Sequence, residues 1–356
     1  ALLSTGKFQI ISLGGAIKHP SYEPTKTIEH GDDWVIYPVD GYSDKERVRN
    51  VITSYKPDIL WFMTDPRFYE WLWQFEDEVR ACIPMVYYHV WDNYPIPKFN
   101  KGFYKSNDFI ATISKVTSDI VQNVAPEVEE RYIPHAVSPK YFHKFQDRSE
   151  IDILEKVRED NNLTGKFVVF WNNRNARRKM SGSVLYWWKA FLDEVGHDKG
   201  TLIMHTDVND VHGQPLEFLA NELGLTSGQI VFSTQKIEPI VVTMTGGLQE
   251  QVTDGVNEFG VGIKPTSQAV IGSPQVPYIK EDRINEEVFV AALKKMYDLG
   301  PAERAKLGKL GFEHVKKNYN FQDFNKRWID TMLHIHEKHG SWETRKNYEA
   351  WEFIEL

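Results

Sequence analysis

A basic loop carries the clearest chemical signal in this sequence. Residues 167 to 180 read FVVFWNNRNARRKM, in which a buried strand ends in polar residues and a helix follows. The loop's positive residues are Arg174, Arg177, Arg178 and Lys179. Open α/β sheets bind ligands beyond the carboxyl ends of their strands, and each charge-assisted hydrogen bond to a diphosphate contributes about 1.5 to 3 kcal/mol. We therefore predict a diphosphate site. The alternative, a solvated basic helix start, is disfavoured because cations oppose the dipole at a helix N-terminus.

A glycine pair follows a second strand in the same half of the chain. Residues 240 to 254 read IVVTMTGGLQEQVTD, again strand, turn and helix. Gly246 and Gly247 allow close approach of the backbone to a ligand, and the following helix start presents free N–H groups to an anion. By itself the pair is more typical of a tight turn. Together with the basic loop it predicts a second wall of one phosphate site, with His205, at the end of another strand of this half, as a weaker candidate.

An aromatic segment follows a strand in the first half of the chain. Residues 87 to 95 read YYHVWDNYP. We expect this segment to face a cleft, where Trp91 and Tyr94 offer flat apolar faces to a sugar. Asp92 belongs to the same predicted binding surface, which would be the acceptor side if a group is transferred to this ligand.

Other chemical templates fit the sequence poorly. It contains no Asp-x-Asp, no His-Glu-x-x-His and no cysteine pair, and so indicates neither a diphosphate-chelating metal nor structural zinc. It also lacks a Gly-x-Ser-x-Gly elbow and a Walker loop, which weakens hydrolase and phosphoryl-transfer interpretations. We predict no metal ligand and no cofactor.

Eight short β-branched or aromatic runs position these residues. Each run is followed by a turn and a stretch of helical period, and such alternation predicts parallel sheets with helices on both faces. The predicted strands are residues 8–13, 58–63, 85–89, 109–113, 167–171, 202–205, 230–232 and 240–243. The fold class is therefore α/β, built from Rossmann-like, doubly wound domains.

Two such domains are expected from the length of 356 residues, because single cores stop growing at roughly 250 to 300 residues. The polar segment 144–165 separates the two sets of strands. We place the domains at residues 1–143 and 144–320. Apolar residues recur at three- and four-residue steps after Phe321, so residues 321–356 are predicted to be helical and to pack back on the first domain.

The chain is unexpectedly short between two predicted strands. Seven residues separate Phe232 from Ile240, whereas a parallel crossover needs about a dozen or more. Either these strands pair antiparallel, or a segment near 233–240 is missing from this sequence. Residues 1–6 look like the last turn of a helix, although an α/β domain normally opens with a strand. We therefore hypothesise that a first strand-helix unit is missing as well.

Composition limits the class of protein further. Hydrophobic residues make up 41% of the chain, and no apolar run approaches the ~20 residues that span a bilayer, which predicts a protein without a transmembrane segment. A net charge of -8 argues against a general nucleic-acid binder. The single cysteine, Cys82, excludes an intramolecular disulfide, and no secretion signal is visible, so we predict a cytoplasmic location.

The basic loop and the glycine pair resemble motifs in the second domain of the large retaining glycosyltransferase family with the GT-B fold, often called group 1. That family has Gly-Arg, four residues and Lys after a strand, where this chain has Asn173, Arg174 and Lys179. The family's Gly-Gly-x-x-Glu turn is similar to residues 246–250. Further similarities lie at residues 56–59, 108–114 and 132–137, and at Phe142. The resemblance implies that Arg174 and Lys179 hold a donor diphosphate, with Asn173 and Glu250 as weaker donor-side candidates.

The chain departs from the family pattern in several places. Asn173 replaces the usual Gly, while His135 and Ala136 replace a usual Asn-Gly. The family also has two glutamates eight positions apart just before the glycine turn, one facing the donor sugar and one the ribose. That region is the short gap described above. Glu250 and Glu258 have the same spacing, but they fall after the turn, and we do not take them as this pair.

The resemblance also places an active-site histidine near the strand that ends at His89. The family often has Asp directly after this histidine, whereas here Asp92 comes three residues later. His89 would hydrogen-bond the transferring sugar or an acceptor hydroxyl. The alternative is a core histidine whose hydrogen bonds are satisfied within the fold.

These features together predict a metal-independent glycosyltransferase. The first domain would bind an acceptor, whether saccharide, lipid or protein, and the second a nucleotide-sugar donor, with the domains facing one another in the GT-B arrangement. The resemblance implies that the anomeric configuration is retained. Two alternatives stay open: another GT-B enzyme, such as a nucleotide-sugar epimerase or a phosphorylase-like enzyme, and a non-catalytic module that binds a nucleotide or sugar.

Overall fold

The structure is a computed structural model of the 356-residue chain. It describes residues 2–15, 19–140, 143–145, 147–226, 228–233, 241–243 and 246–349, with the backbone alone for residues 241–243 and 246. Two compact units divide the chain. Unit 1 comprises Ala1–Ser138, Val270–Glu281 and Tyr319–Leu356, and unit 2 comprises Pro139–Ala269 and Asp282–Asn318.

Strands and helices alternate along most of the chain, as expected for an α/β protein. The strands are β1 (Ile10–Gly14), β2 (Thr25–Thr27), β3 (Gly31–Pro38), β4 (Leu60–Met63), β5 (Met85–His89), β6 (Phe109–Thr112), β7 (Glu130–Tyr132), β8 (Phe167–Asn172), β9 (Gly200–His205), β10 (Ile230–Ser233), β11 (Val241–Thr243), β12 (Val261–Ile263), β13 (Ser267–Ser273) and β14 (Val276–Arg283). The helices are α1 (Lys45–Tyr55), α2 (Glu70–Trp73), α3 (Glu76–Cys82), α4 (Lys101–Lys105), α5 (Lys115–Val124), α6 (Arg148–Asp160), α7 (Ser181–Val195), α8 (Leu216–Glu222), α9 (Gln249–Val252), α10 (Glu286–Asp298), α11 (Gly300–Asn318) and α12 (Phe321–His339).

Unit 1 is built on a four-stranded parallel sheet in the order β4-β5-β6-β7. Its second strand, β5, is buried along its whole length. Met85 and Tyr87 belong to one apolar core, and Val86 and Tyr88 to another. Because successive side chains of a strand point to opposite faces, these two cores lie on the two faces of the sheet. A separate sheet pairs β1 parallel with β3 and β2 antiparallel with β3.

The C-terminal helix α12 completes unit 1. Its Trp328, Met332 and Ile335 recur at four- and three-residue spacing and pack against Val86 and Tyr88. This confirms the prediction that the last long helix returns to the first part of the chain.

Unit 2 contains a three-stranded parallel sheet in the order β10-β9-β8. Helices α7 and α10 contribute to its core, which includes Trp188, Phe191 and Leu293. Strand β11 pairs parallel with β12. In the part of the chain that the structure describes, β10 and β11 do not pair with each other, so the antiparallel alternative considered for them is wrong. The hypothesis of a missing segment near 233–240 falls on residues 234–240, outside the described residues, and Phe142 lies outside them too.

A hairpin of β13 and β14 was not predicted from the sequence. Most of its residues are exposed or only half-buried, so it lacks the apolar run that marked the predicted strands. Val276 and Ile279 anchor β14 in the core of unit 1 that also contains Tyr87. Within the described ranges, no helix combines the length and apolarity needed to cross a bilayer.

Candidate functional site

The basic loop of unit 2 begins where β8 ends. Strand β8 lies parallel to β9, and Asn172 at its end stands opposite His205. After an irregular stretch, residues Arg177–Lys179 form a single 3-10 turn, and α7 starts at Ser181. The predicted strand, loop and helix are therefore present, and the loop lies at the carboxyl edge of a parallel sheet.

Arg174 projects from this loop and is 62% exposed, yet it has a carboxylate partner. Its Nε lies 2.6 Å from Asp210 Oδ2, and its Nη2 lies 3.1 Å from Asp210 Oδ1. Asp210 is only 11% exposed and also accepts a hydrogen bond from the His212 backbone N–H. The Arg174 guanidinium and this N–H lower the pKa of Asp210 to about 2. Asp210 is therefore a carboxylate at neutral pH.

Asn175 joins the basic loop to the segment that carries Asp210. Its buried amide Nδ2 donates to Gln214 O at 2.7 Å and to Val208 O at 3.3 Å, while Oδ1 accepts from Ser181 Oγ and Gln214 N. The two segments pass so close that a Cβ on Gly213 would lie 2.1 Å from Asn175 O. Only glycine fits there. This close packing and the hydrogen bonds of Asn175 hold the two segments against each other.

The remaining residues of the basic loop differ in exposure. Asn173, Arg177 and Arg178 are exposed, and Lys179 is half-buried in the 3-10 turn. At the start of α7, the Gly182 N–H already donates to Gln214 Oε1 at 2.9 Å. This N–H is not available to an anion, so side-chain charge is the main attraction that the loop offers.

Two polar atoms without partners lie at the end of β9. His205 Nδ1 and Thr206 Oγ1 are both buried and make no hydrogen bond within the described ranges. Buried polar atoms are normally satisfied, so each exception needs an explanation. These two lie next to the end of β8 and mark the same sheet edge as the basic loop. Thr206 was not predicted as a site residue.

The glycine corner follows β11. Gly246–Leu248 form a 3-10 turn, and the four-residue helix α9 comes next. The backbone carbonyl of Glu250 accepts a hydrogen bond from His314 Nε2 at 2.8 Å, and the His314 ring stacks on Phe259. The corner containing Gly246 and Gly247 therefore stands beyond a parallel strand of unit 2, as predicted, and α11 supports it. That it meets the basic loop at one phosphate stays a prediction.

His89 lies at the end of β5 and is completely buried. Its Nδ1 is 2.9 Å from Tyr87 Oη and its Nε2 is 2.7 Å from Tyr104 Oη. Since Tyr87 Oη donates its own proton to Thr64 O, Nδ1 must donate to Tyr87 and Nε2 must accept from Tyr104. Burial lowers the pKa of His89 to about 3. The imidazole is thus neutral, with both nitrogens occupied by tyrosine hydroxyls.

The predicted acceptor-side residues differ in their exposure to solvent. Trp91 is buried in the core of unit 1, and its Nε1 donates to Asn93 O. Its ring is therefore not the flat exposed surface that was expected, because it fills space beside Phe99. Asp92 is half-buried, and Tyr94 is exposed, with its backbone carbonyl accepting a hydrogen bond from Lys280 N.

An aromatic pair with one exposed ring, Tyr42, lies instead beyond β3 and β4. The Tyr42 ring stacks on Phe68 with 4.5 Å between centroids, and the Arg67 guanidinium lies 4.9 Å from the centre of the Phe68 ring. Arg67 also pairs with Asp65 at 3.1 Å. Sequence reasoning missed this pair because Tyr42 and Phe68 follow different strands and meet only in the folded chain.

The architecture defines the class of fold. Two α/β units with parallel sheets, and a last long helix that returns to the first unit, constitute the GT-B fold. The chain matches the solved structure of sucrose-phosphate synthase from Thermosynechococcus elongatus with a TM-score of 0.68 and 14% identity, over 95% of this chain and 91% of that one.

Two further solved structures are similar. A glycosyltransferase from Rickettsia africae has a TM-score of 0.60 and 14% identity, over 85% of this chain and 86% of that one. The Anabaena protein HepE, in complex with UDP and glucose, has a TM-score of 0.58 and 13% identity, over 86% of this chain and 87% of that one. No family model and no curated protein sequence matches the chain. At these identities the similarity establishes the fold.

Proposed function

We propose that this protein is a glycosyltransferase that moves a sugar from a nucleotide-sugar donor to an acceptor. One observation carries the proposal: within a GT-B fold, an exposed arginine paired with a largely buried carboxylate lies beyond the carboxyl end of β8, in the loop that also carries Lys179. Charge-assisted hydrogen bonds from such groups suit a diphosphate. The names of the similar structures, which include a glycosyltransferase and a complex with UDP and glucose, support the same interpretation.

In this proposal Arg174 and Lys179 stabilise the negative charge that develops on the leaving diphosphate. Fixed positive groups at the place where charge develops lower the barrier without needing to reorganise during the reaction. The glycine corner at Gly246 and Gly247 would add backbone N–H groups, and no metal is required. Retention of configuration, implied by the family resemblance, belongs to the proposal, as does a cytoplasmic location, which the single Cys82 favours.

The acceptor is assigned to unit 1. Tyr42 supplies an exposed ring beyond β3, and Tyr94 another beyond β5. Sugar rings have apolar C–H faces that cover such aromatic surfaces. Trp91 and His89, which are buried, would stabilise the loops that carry these rings.

One observation favours a second candidate, a non-catalytic module that binds a nucleotide or sugar. Both nitrogens of His89 are already hydrogen-bonded within the core, so this side chain has no open position for a reacting hydroxyl. Such a module would keep its affinity for the donor and transfer no sugar.

A thermal-shift panel followed by a transfer assay tests the proposal. A ligand that prefers the folded state must raise the melting temperature, so UDP, GDP or ADP, or one of their sugars, is expected to do so. The matching radiolabelled nucleotide sugar is then incubated with cell extracts as acceptors, and labelled product is expected. Stabilisation without transfer to any extract would favour the binding module. Release of free sugar or of an epimer would favour the other GT-B enzymes. The absence of any stabilising nucleotide would contradict the proposal.

A further inference from the structure

Asp210 was absent from every sequence-based set of site residues, yet its geometry gives it a role. It lies 36 positions from Arg174 along the chain, and only the fold brings the two together. Its two carboxylate oxygens meet the Nε and Nη2 atoms, which form one edge of the guanidinium. A guanidinium has five N–H donors in a rigid plane. An occupied Nε edge therefore leaves the Nη1 end of Arg174 directed away from Asp210.

The Nη1 end is open. Arg174 is 62% exposed, and among the described residues Nη1 has no hydrogen-bond partner. Asp210 itself is fixed, since it is nearly buried and accepts the His212 N–H at 2.9 Å. The segment that carries Asp210 is held against the basic loop by the hydrogen bonds that Asn175 donates to it. A rigid carboxylate thus holds a flexible, solvent-exposed side chain in one orientation.

We propose that Asp210 is a positioning residue for the donor diphosphate: it holds Arg174 so that the Nη1 end of the guanidinium meets the phosphate. This inference rests on the proposed function. An exposed arginine loses side-chain freedom when it binds, and that loss weakens binding. The contact with the carboxylate removes this freedom before the ligand arrives. Its own charge opposes the phosphate, but at an exposed site that repulsion is screened by water and salt.

The test uses the full-length protein and calorimetric titration. The probes are inorganic pyrophosphate, the one of UDP, GDP and ADP that binds wild type most tightly, and the nucleoside that matches it. Asp210→Asn removes the charge and keeps the shape. We expect it to weaken binding of both diphosphates about fivefold and to leave nucleoside binding unchanged. In an Arg174→Ala background the same substitution should have no effect, because the group that it positions is gone.

Asp193→Asn is the matched control. Asp193 is an exposed carboxylate on α7 in unit 2 that pairs with Lys189 and His197, and its substitution should leave all affinities unchanged. Stronger diphosphate binding by Asp210→Asn would identify Asp210 as a competing anion and overturn the inference. An equal loss of nucleoside binding, an unchanged affinity, or a loss that persists without Arg174 would also overturn it. If wild type binds none of the probes, the proposed function itself fails.

Discussion

Both units have polar side chains at or just beyond the carboxyl ends of parallel strands, but these side chains differ in burial and charge. In unit 1, His89 is buried and neutral, and two tyrosine hydroxyls occupy its nitrogens. In unit 2, Arg174 is exposed and charged, and a single carboxylate holds one edge of it. The contrast separates a polar group that stabilises its loop from one that remains available to a ligand. In the proposed function, unit 2 binds the charged donor, and the exposed rings of Tyr42 and Tyr94 in unit 1 contact the acceptor.

The largest expected effect is a loss of stability on truncation of His89. His89→Ala removes a buried ring and the hydrogen bonds that it makes with the hydroxyls of Tyr87 and Tyr104, which should lower the free energy of unfolding by about 3 kcal/mol. Urea denaturation measures this loss. His197→Ala, at an exposed histidine on the other unit, is the control and should cost less than about 0.5 kcal/mol. A loss below about 1 kcal/mol for His89→Ala would mean that this histidine is not an integral part of the core.

The pH dependence of stability tests whether His89 is buried and neutral in the folded protein. Burial depresses the pKa of His89 to about 3 in the folded protein, whereas an unfolded histidine titrates near about 6.5. Its contribution to stability is therefore complete above about pH 6.5 and is lost progressively as the pH falls toward about 3. Between about pH 7 and about pH 5, wild type should lose about 2 kcal/mol more than His89→Gln, which cannot titrate. Parallel stability curves for the two proteins would show that His89 is solvated and titrates normally.

A substitution in the exposed aromatic surface of unit 1 should have a smaller effect, confined to the KM for the acceptor. Tyr42→Ala removes the ring that stacks on Phe68 and should raise the KM for an acceptor found in the extract assay about fivefold, with donor affinity unchanged. Tyr55→Ala is the matched control, because Tyr55 is 42% exposed, against 39% for Tyr42, and also contacts another ring. That ring is Tyr37, so the control leaves the stack on Phe68 intact. Equal effects of the two substitutions would refute a special role for Tyr42.

Much of the fold was predictable because its central strands are buried on both faces. Such strands are continuous apolar runs, and β5 was placed correctly to the residue. Strands β13 and β14 were missed because their exposed residues carry no apolar run. The short strands β2, β7 and β12 were missed as well, since three residues give too little pattern to detect. The eight-residue strand β3 was also missed, although it contains the apolar residues Trp34–Tyr37.

The candidate site was less predictable, because its geometry depends on contacts distant in sequence. The basic loop was visible from the charges of Arg174 and Lys179, but Asp210 was not, since nothing local links it to Arg174. Periodicity could not reveal that Trp91 turns into the core and that Tyr42 meets Phe68 at the surface. The roles predicted for His89, His205, Glu250 and the glycine corner stay predictions.

The most direct test of the account is calorimetric titration of nucleoside diphosphates into wild type, Arg174→Ala and Lys179→Ala. We expect that wild type binds at least one of UDP, GDP and ADP, and that each substitution weakens that binding more than about tenfold. Arg174→Ala should unfold at nearly the wild-type denaturant concentration, because an exposed charged side chain contributes little to stability. Unchanged affinity in both variants would contradict the assignment of this loop to the donor diphosphate.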